Sequence, residues 1–288
     1  MDIPIHGDVV RPGRALIAAA ARRARRMLAR LRVSVEAGLR PGDPVALALA
    51  AVVVLSVYFL MFPGVDLAVT AAFHRPGEGF PLSGDPVLRG LRKSSTWVLA
   101  GLLVVASVIL IQSRWSPRAA GRTSPGRRRN GLFLLVGLVV GPGLVVNSVL
   151  KSAWGRARPI QTDLFGGDAA FTEVWRISDA CRDNCSFVSG EASSATWMVC
   201  AVLLMVPRPW RLAAVSVACV YGVALSLNRI AFGGHYLSDV LLSWAITALV
   251  LAVLHRVMAA APMPGRRPLP VLKLRRQPGL GSLGRTTA

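Results

Sequence analysis

The chain has 288 residues, 53% of them hydrophobic, with a formal net charge of +20 and a mean hydropathy of +0.51. Several long uncharged apolar runs exclude an ordinary soluble domain, which buries one core and carries no such runs. They also leave no soluble face on which the basic charge could hold nucleic acid, so the charge is read as membrane orientation and contact with anionic lipid.

Residues 1–43 form a basic N-terminal segment, in which RPGRALIAAAARRARRMLARLR puts Arg22, Arg26 and Arg30 on one helical stripe. The pattern predicts an amphipathic helix on an anionic cytoplasmic leaflet, with a solvated basic helix or an organellar transit peptide as alternatives. No long apolar stretch follows the charges, as a cleaved signal peptide would require.

Crossing a bilayer core takes roughly 20 mainly apolar residues as a helix. Six stretches qualify or nearly do, at residues 44–62, 96–112, 131–150, 192–206, 212–227 and 237–255. Their Val, Leu and Ala content without period-two alternation argues for helices over barrel strands. The fold class expected is all-α, a polytopic membrane helical bundle of six transmembrane helices within residues 44–257. The fourth and fifth stretches are short, and five spans is the alternative count. In the third, Gly137 and Gly141 form a small-xxx-small pattern suited to close packing inside the bundle, and Pro142 is expected to kink the helix. Residues 258–288 are Pro-, Gly- and Arg-rich and read as a disordered basic tail.

Basic residues set the orientation, because cytoplasmic segments hold the excess. With six spans, the side carrying both termini holds 24 of the 34 Lys and Arg residues. Both termini are therefore expected in the cytoplasm, with residues 63–95, 151–191 and 228–236 facing outward from a bacterial inner membrane.

Cys200 and Cys219 fall within apolar stretches and read as packing residues. Cys181 and Cys185 stand in an outward loop as CRDNC, where a local disulfide would pin the chain just before Ser189, a zinc site being the weaker alternative. In the same loop Phe165, Phe171 and Trp175 are candidate lid or chain contacts, although each read singly is an ordinary loop aromatic. His74 is the other outward histidine besides His235, and nothing in the sequence sets it at a site.

Charged groups converge on the outward side. The third stretch ends in KSAWGRARP, with Lys151, Arg156 and Arg158; the fourth opens at Ser189-Gly190-Glu191; the fifth ends at Asn228-Arg229; the sixth opens with FGGHYLSD, giving His235 and Asp239. Lys151 or Arg156 taken singly reads as an interface anchor. The set does not, because the positive-inside rule disfavours so many cations there, and an anion is the ligand that would gather them. Lys151, Arg158 and Arg229 could surround a tetrahedral oxyanion, with the Ser189 hydroxyl and the Gly190 amide at a helix start. His235 and Asp239, four apart, share a helix face, so the carboxylate can fix the imidazole's tautomer and leave the other nitrogen free to attack.

Lys151, six residues, then Arg158-Pro159 resembles the first signature of the type 2 phosphatidic acid phosphatase superfamily, which also holds vanadium haloperoxidases. Arg229, five residues, His235, three residues, Asp239 is similar to its third, with Asn228 where the family usually has Ser. The resemblance implies a helical bundle that hydrolyses phosphomonoesters or pyrophosphates through a phosphohistidine, with no metal or other cofactor. It makes His235 the nucleophile and Asp239 its partner, with Lys151, Arg158, Ser189, Gly190 and Arg229 holding phosphate. The second signature, usually Pro-Ser-Gly-His, reads Val188-Ser189-Gly190-Glu191 here. Glu191 is a substitute general acid, an electrostatic partner of an arginine, or the mark of lost catalysis. The partner expected is a membrane lipid phosphate: phosphatidic acid, phosphatidylglycerophosphate, a polyprenyl pyrophosphate or lipid A. A non-catalytic lipid-phosphate binder and, more distantly, a vanadate-dependent haloperoxidase are the alternatives. Oligomeric state is not readable.

Overall fold

A computed structural model of the protein describes Arg25 and residues 42–115 and 125–260. The expected N-terminal amphipathic helix and C-terminal tail lie outside these. Among the described residues there are helices and two isolated bridges, Arg75 with Gly79 and Thr162 with Ala169, and no strands.

Helix α1 (Pro44–Met61) starts where Asp43 accepts the amide of Val45 at 2.8 Å and Pro44 supplies a preset φ. It stops at Phe62-Pro63, since proline cannot continue the ladder. A short α2 (Gly64–Ala71) follows, then α3 (Pro86–Trp115), whose first turn is capped by Asp85 accepting from Leu88 at 2.9 Å. Helix α4 (Pro125–Leu138) runs on as a π-helical segment, Val139–Leu150, and a closing turn, Lys151–Ala153. Pro142 lies in the wide segment, where the looser turn accommodates its missing N–H and ring, and Asn147 Nδ2 donates to its carbonyl at 2.7 Å. The expected kink is thus a change of helical register. Then come α5 (Gly190–Met205), α6 (Arg208–Ala231) and α7 (Leu237–Ala260), which runs three residues past the expected boundary at 257.

All six expected apolar stretches are helical, but five of the helices are long and apolar enough to cross a membrane. The sixth, α5, has 16 residues and rises about 24 Å against a hydrocarbon core of about 30 Å. The reason is at its start: Ser189, Gly190 and Ala192 are already buried, so the helix begins inside the bundle rather than at its surface.

Hydropathy decides which faces meet lipid. Val54, Val104, Leu212 and Val217 are 65%, 61%, 81% and 69% exposed, and lie on α1, α3 and α6. Left in water, each would forgo roughly 1.5–3 kcal/mol of burial, so an apolar solvent belongs around these helices. Inside, α7 packs against α4: a Cβ on Gly137 would lie 2.8 Å from Leu251 Cδ2, and Gly141 lies against Thr247 and Val250. The small-residue pair therefore serves packing within the chain. Trp154, Trp175 and Phe187 pack on one another, and Phe187 joins Phe59, Val146 and Leu242 in one core cluster, which fastens the 154–189 loop over one end of the bundle. The end of α4, the start of α5 and the end of α6 meet beneath that loop.

Candidate active site

His235 occupies the turn between α6 and α7. Gly233 takes φ +63°, and a Cβ there would meet the Phe80 ring at 2.5 Å; a Cβ on Gly234 would meet Arg229 Nη2 at 2.6 Å. One glycine makes the turn and the other lets a guanidinium lie against the backbone. The His235 ring is fully buried, with Nδ1 2.8 Å from the backbone oxygen of Ser186. A carbonyl can only accept, so Nδ1 carries the hydrogen in the neutral ring and Nε2 keeps its lone pair. That Nε2 has no hydrogen-bond partner among the described residues.

Asp239 lies one turn further on, with Oδ2 3.9 Å from His235 Nδ1. The sequence reading gave Asp239 the direct hold on the imidazole; here Ser186 has it and links the two. Its carbonyl accepts from His235 while its hydroxyl donates to Asp239 Oδ2 at 2.5 Å. The amide of Tyr236 donates to the same oxygen at 3.0 Å.

Arg156 is not the interface anchor that it suggests when read alone. It is 1% exposed, donating to Asp239 Oδ1 at 2.7 Å, Asp66 Oδ2 at 2.9 Å, Ser238 Oγ at 2.8 Å and the Thr172 carbonyl at 2.8 Å. Its guanidinium lies 4.3 Å from the Tyr236 ring centroid. Burial opposes its charge, but the flanking carboxylates of Asp239 and Asp66 more than offset this and hold it above the ordinary arginine value. Asp66 in turn accepts the Ser238 amide and hydroxyl at 2.8 and 2.5 Å, which ties α2 to the first turn of α7.

Gly234 and Glu191, next to His235, line a cavity of about 950 Å³ together with Lys151, Arg158, Arg229 and Gly190; the fully buried His235 ring is itself not part of the lining. Lys151 Nζ donates to Asn184 Oδ1 at 3.2 Å, and Arg158 donates through Nε and Nη2 to the Asn184 carbonyl at 3.0 and 2.7 Å. Asn184 adopts φ +50° inside the loop closed by the disulfide between Cys181 and Cys185, whose Cα atoms are 5.6 Å apart. Gly190 lets α5 approach α4: a Cβ would lie 2.7 Å from Asn147 Oδ1 and 3.3 Å from Lys151 Nζ. Ser189 is fully buried and not part of the lining; its Oγ caps α5 by accepting from Ala192 at 3.3 Å.

Glu191 stands between the cations and the histidine. Its Oε1 is 3.2 Å from Arg229 Nε and 3.8 Å from Arg92 Nε, and its Oε2 is 3.7 Å from His235 Nε2. Burial opposes the charge of Glu191, but the neighbouring His235 and the Arg229 guanidinium favour the ionised carboxylate.

The lid aromatics are packing residues: Phe165 is buried in a cluster with Phe80 and Tyr236, Phe171 meets Tyr236, and Trp175 meets Trp154. His74 packs on Phe80 and Phe165. Neither it nor the three aromatics line the cavity. Cys200 and Cys219 are free thiols on α5 and α6. Sequence reasoning passed over Asp66, Arg92, Asn184 and Ser186. Of these, Arg92 alone carried a signal, as a cation on the side where cations are disfavoured.

Membrane-length helices, a cation-lined cavity and a buried histidine with an unpartnered nitrogen suit a membrane protein that handles phosphate esters. The comparisons carry this further. The family model described as the PAP2 superfamily matches residues 131–262, and the chain belongs to that superfamily. It is 39% identical over 206 residues to a lipid A 4'-phosphatase of Rhizobium leguminosarum, covering 69% of this chain and 85% of that one. It is 39% identical over 206 residues to one of Rhizobium etli, covering 69% and 77%. Against one of Francisella tularensis subsp. novicida it is 32% identical over 202 residues, covering 67% and 90%. No solved structure matches the chain. The protein is a membrane lipid phosphatase, a phosphoric monoester hydrolase.

Proposed function

We propose that the protein removes a phosphate from a lipid A-type head group, an acylated glucosamine disaccharide, at the outer face of the inner membrane. The reaction runs through a phosphohistidine on His235 and needs no metal. The observation that carries this reading is the buried His235 ring, anchored at Nδ1 with Nε2 unpartnered beside Glu191 and Arg229. The relatives' activity supports the substrate class, and, with α5 counted as a sixth crossing, the excess of basic residues on the side of both termini supports the orientation.

In the proposed reaction the phosphate settles among Lys151, Arg158 and Arg229, with the Gly190 amide at the positive end of α5. His235 Nε2 attacks phosphorus, the bond to the sugar oxygen breaks, and that oxygen leaves with a proton. The positive charge on the phosphorylated ring is matched by Asp239 through Ser186. Water then attacks phosphorus, the P–N bond breaks, and inorganic phosphate departs. Glu191 serves both steps. Entering phosphate takes Arg229 from it and adds negative charge beside it, and both changes raise its proton affinity. Protonated, it supplies the leaving oxygen; ionised, it accepts the proton of the attacking water.

The ion pair of Glu191 with Arg229 also suits a second reading, a lipid-phosphate binder whose carboxylate keeps the arginine occupied. Phosphate release from a 4'-phosphorylated glucosamine lipid in detergent with excess chelator separates the two. Turnover that disappears in His235→Ala supports the enzyme. Binding without turnover supports the binder.

A further inference from the structure

Three cations on α3, Arg89, Arg92 and Lys93, line the same cavity as the phosphate cradle. They sit at i, i+3 and i+4, so they share one face of the helix and repel one another. They lie near the N-terminal end of a 30-residue helix whose first turn holds no acidic residue, where the helix dipole is itself unfavourable to positive charge. By the orientation proposed above they also face the side on which basic residues are disfavoured. Within the protein the Asp85 cap of this helix offsets part of this, and few other groups do. Arg89 donates to the Ser83 carbonyl at 2.7 Å, and Arg92 shares Glu191 with Arg229 at 3.8 Å. Lys93 has no ion-pair partner among the described residues.

Among the described residues the cavity holds six cations, Arg89, Arg92, Lys93, Lys151, Arg158 and Arg229, against one carboxylate, Glu191. A phosphomonoester brings about −1.5 to −2 charges near neutral pH. One phosphate with Glu191 therefore leaves roughly half of the positive charge unanswered, and the unanswered part is the α3 face.

We infer that Arg89, Arg92 and Lys93 form a second anion subsite, which binds a further phosphate or carboxylate on the same lipid head group while the first phosphate is cleaved. The inference rests on the phosphatase reading and deepens it, naming the substrate class as lipids with at least two anionic head-group charges. The α3 cations face the cavity that also reaches Lys151 and Arg229, so the anion that answers them belongs to the bound molecule rather than to bulk lipid around the bundle.

The test uses the full chain in zwitterionic detergent micelles and three versions of one acylated glucosamine disaccharide. One carries the 4'-phosphate alone, one adds a phosphate on the other sugar, and one adds a sugar-acid carboxylate. The wild type should prefer at least one two-anion lipid by about tenfold or more in kcat/KM, the effect of one good charge-assisted contact. In Arg89→Ala/Lys93→Ala that ratio should fall to near one, chiefly through KM. Both residues are exposed, and Arg92 is left in place because it touches Glu191. Equal handling of all three lipids by the wild type would overturn the subsite, and so would parallel loss on all three in the variant. A variant that loses only the response to added anionic phospholipid would overturn it too, since the patch would then read the bilayer. No turnover of any lipid by the wild type counts against the phosphatase reading instead. The subsite is then judged by binding, where tryptophan fluorescence should give a Kd about tenfold lower for the two-anion lipid in the wild type alone.

Discussion

The carboxylate of Glu191 faces Nε2 of His235 at 3.7 Å. An acid thus occupies the space beside the nitrogen proposed to attack phosphorus. Its other oxygen holds Arg229 at 3.2 Å, so the residue competes with substrate for a cation before it can act on protons. Glu191→Gln should lower turnover of a glucosamine-linked phosphate about 100-fold, within the range of a lost general acid–base. The loss should shrink for an aryl phosphate, whose leaving group needs no proton. Equal losses on the two substrates would remove Glu191 from the proton path.

Ser186 joins His235 to Asp239 by its carbonyl and its hydroxyl. Ser186→Ala keeps the first contact and deletes the second. A charge-assisted hydrogen bond of this kind contributes about 1.5–3 kcal/mol, so kcat should fall by roughly tenfold or more with KM little changed. Steady-state kinetics measure the split; a rise in KM at constant kcat would point to substrate binding instead.

Arg156 lies buried between Asp66 and Asp239. Arg156→Ala strands two carboxylates in the interior, a change of about 3–5 kcal/mol in stability. Arg156→Lys keeps the charge but cannot reach four acceptors and should lose most activity as well. Thermal unfolding in detergent together with phosphate release checks both.

Asn184 receives Lys151 on its side chain and Arg158 on its backbone. Asn184→Gly retains the left-handed backbone and removes the side-chain contact, so KM should rise several-fold while kcat changes less. Opening the disulfide by Cys181→Ser should act in the same direction, by loosening the loop that carries Asn184. Inhibition by inorganic phosphate gives an independent reading, and an unaltered inhibition constant in both variants would contradict the positioning role.

Much of this was legible in the sequence. Six apolar runs lacking strand alternation predicted the helices, and the charge bias set Lys151, Glu191, Arg229 and His235 at one end before any coordinates did. What was not legible depends on backbone groups and on distance along the chain. Ser186 and Asn184 each work in part through a backbone carbonyl, which any residue possesses. Asp66 stands 90 positions from Arg156, in a short helix with no motif around it. Ser189 shows how a helix start offers two roles: its Oγ accepts from Ala192 in the cap, and the hydroxyl hydrogen is the part that the phosphate-donor expectation concerns. The shortness of α5 showed in the sequence as the short apolar stretch 192–206, with five spans as the alternative count; its buried start did not, because hydropathy says nothing of how deep a helix begins.

The central claim is that His235 carries the phosphoryl group. Rapid quenching of the full-length enzyme with lipid labelled at the 4'-phosphate, under excess chelator, tests it directly. The account predicts an alkali-stable, acid-labile phosphoenzyme on His235 that forms at least as fast as turnover and is absent from His235→Ala. Turnover that proceeds with no labelled histidine, or that survives His235→Ala, would contradict it.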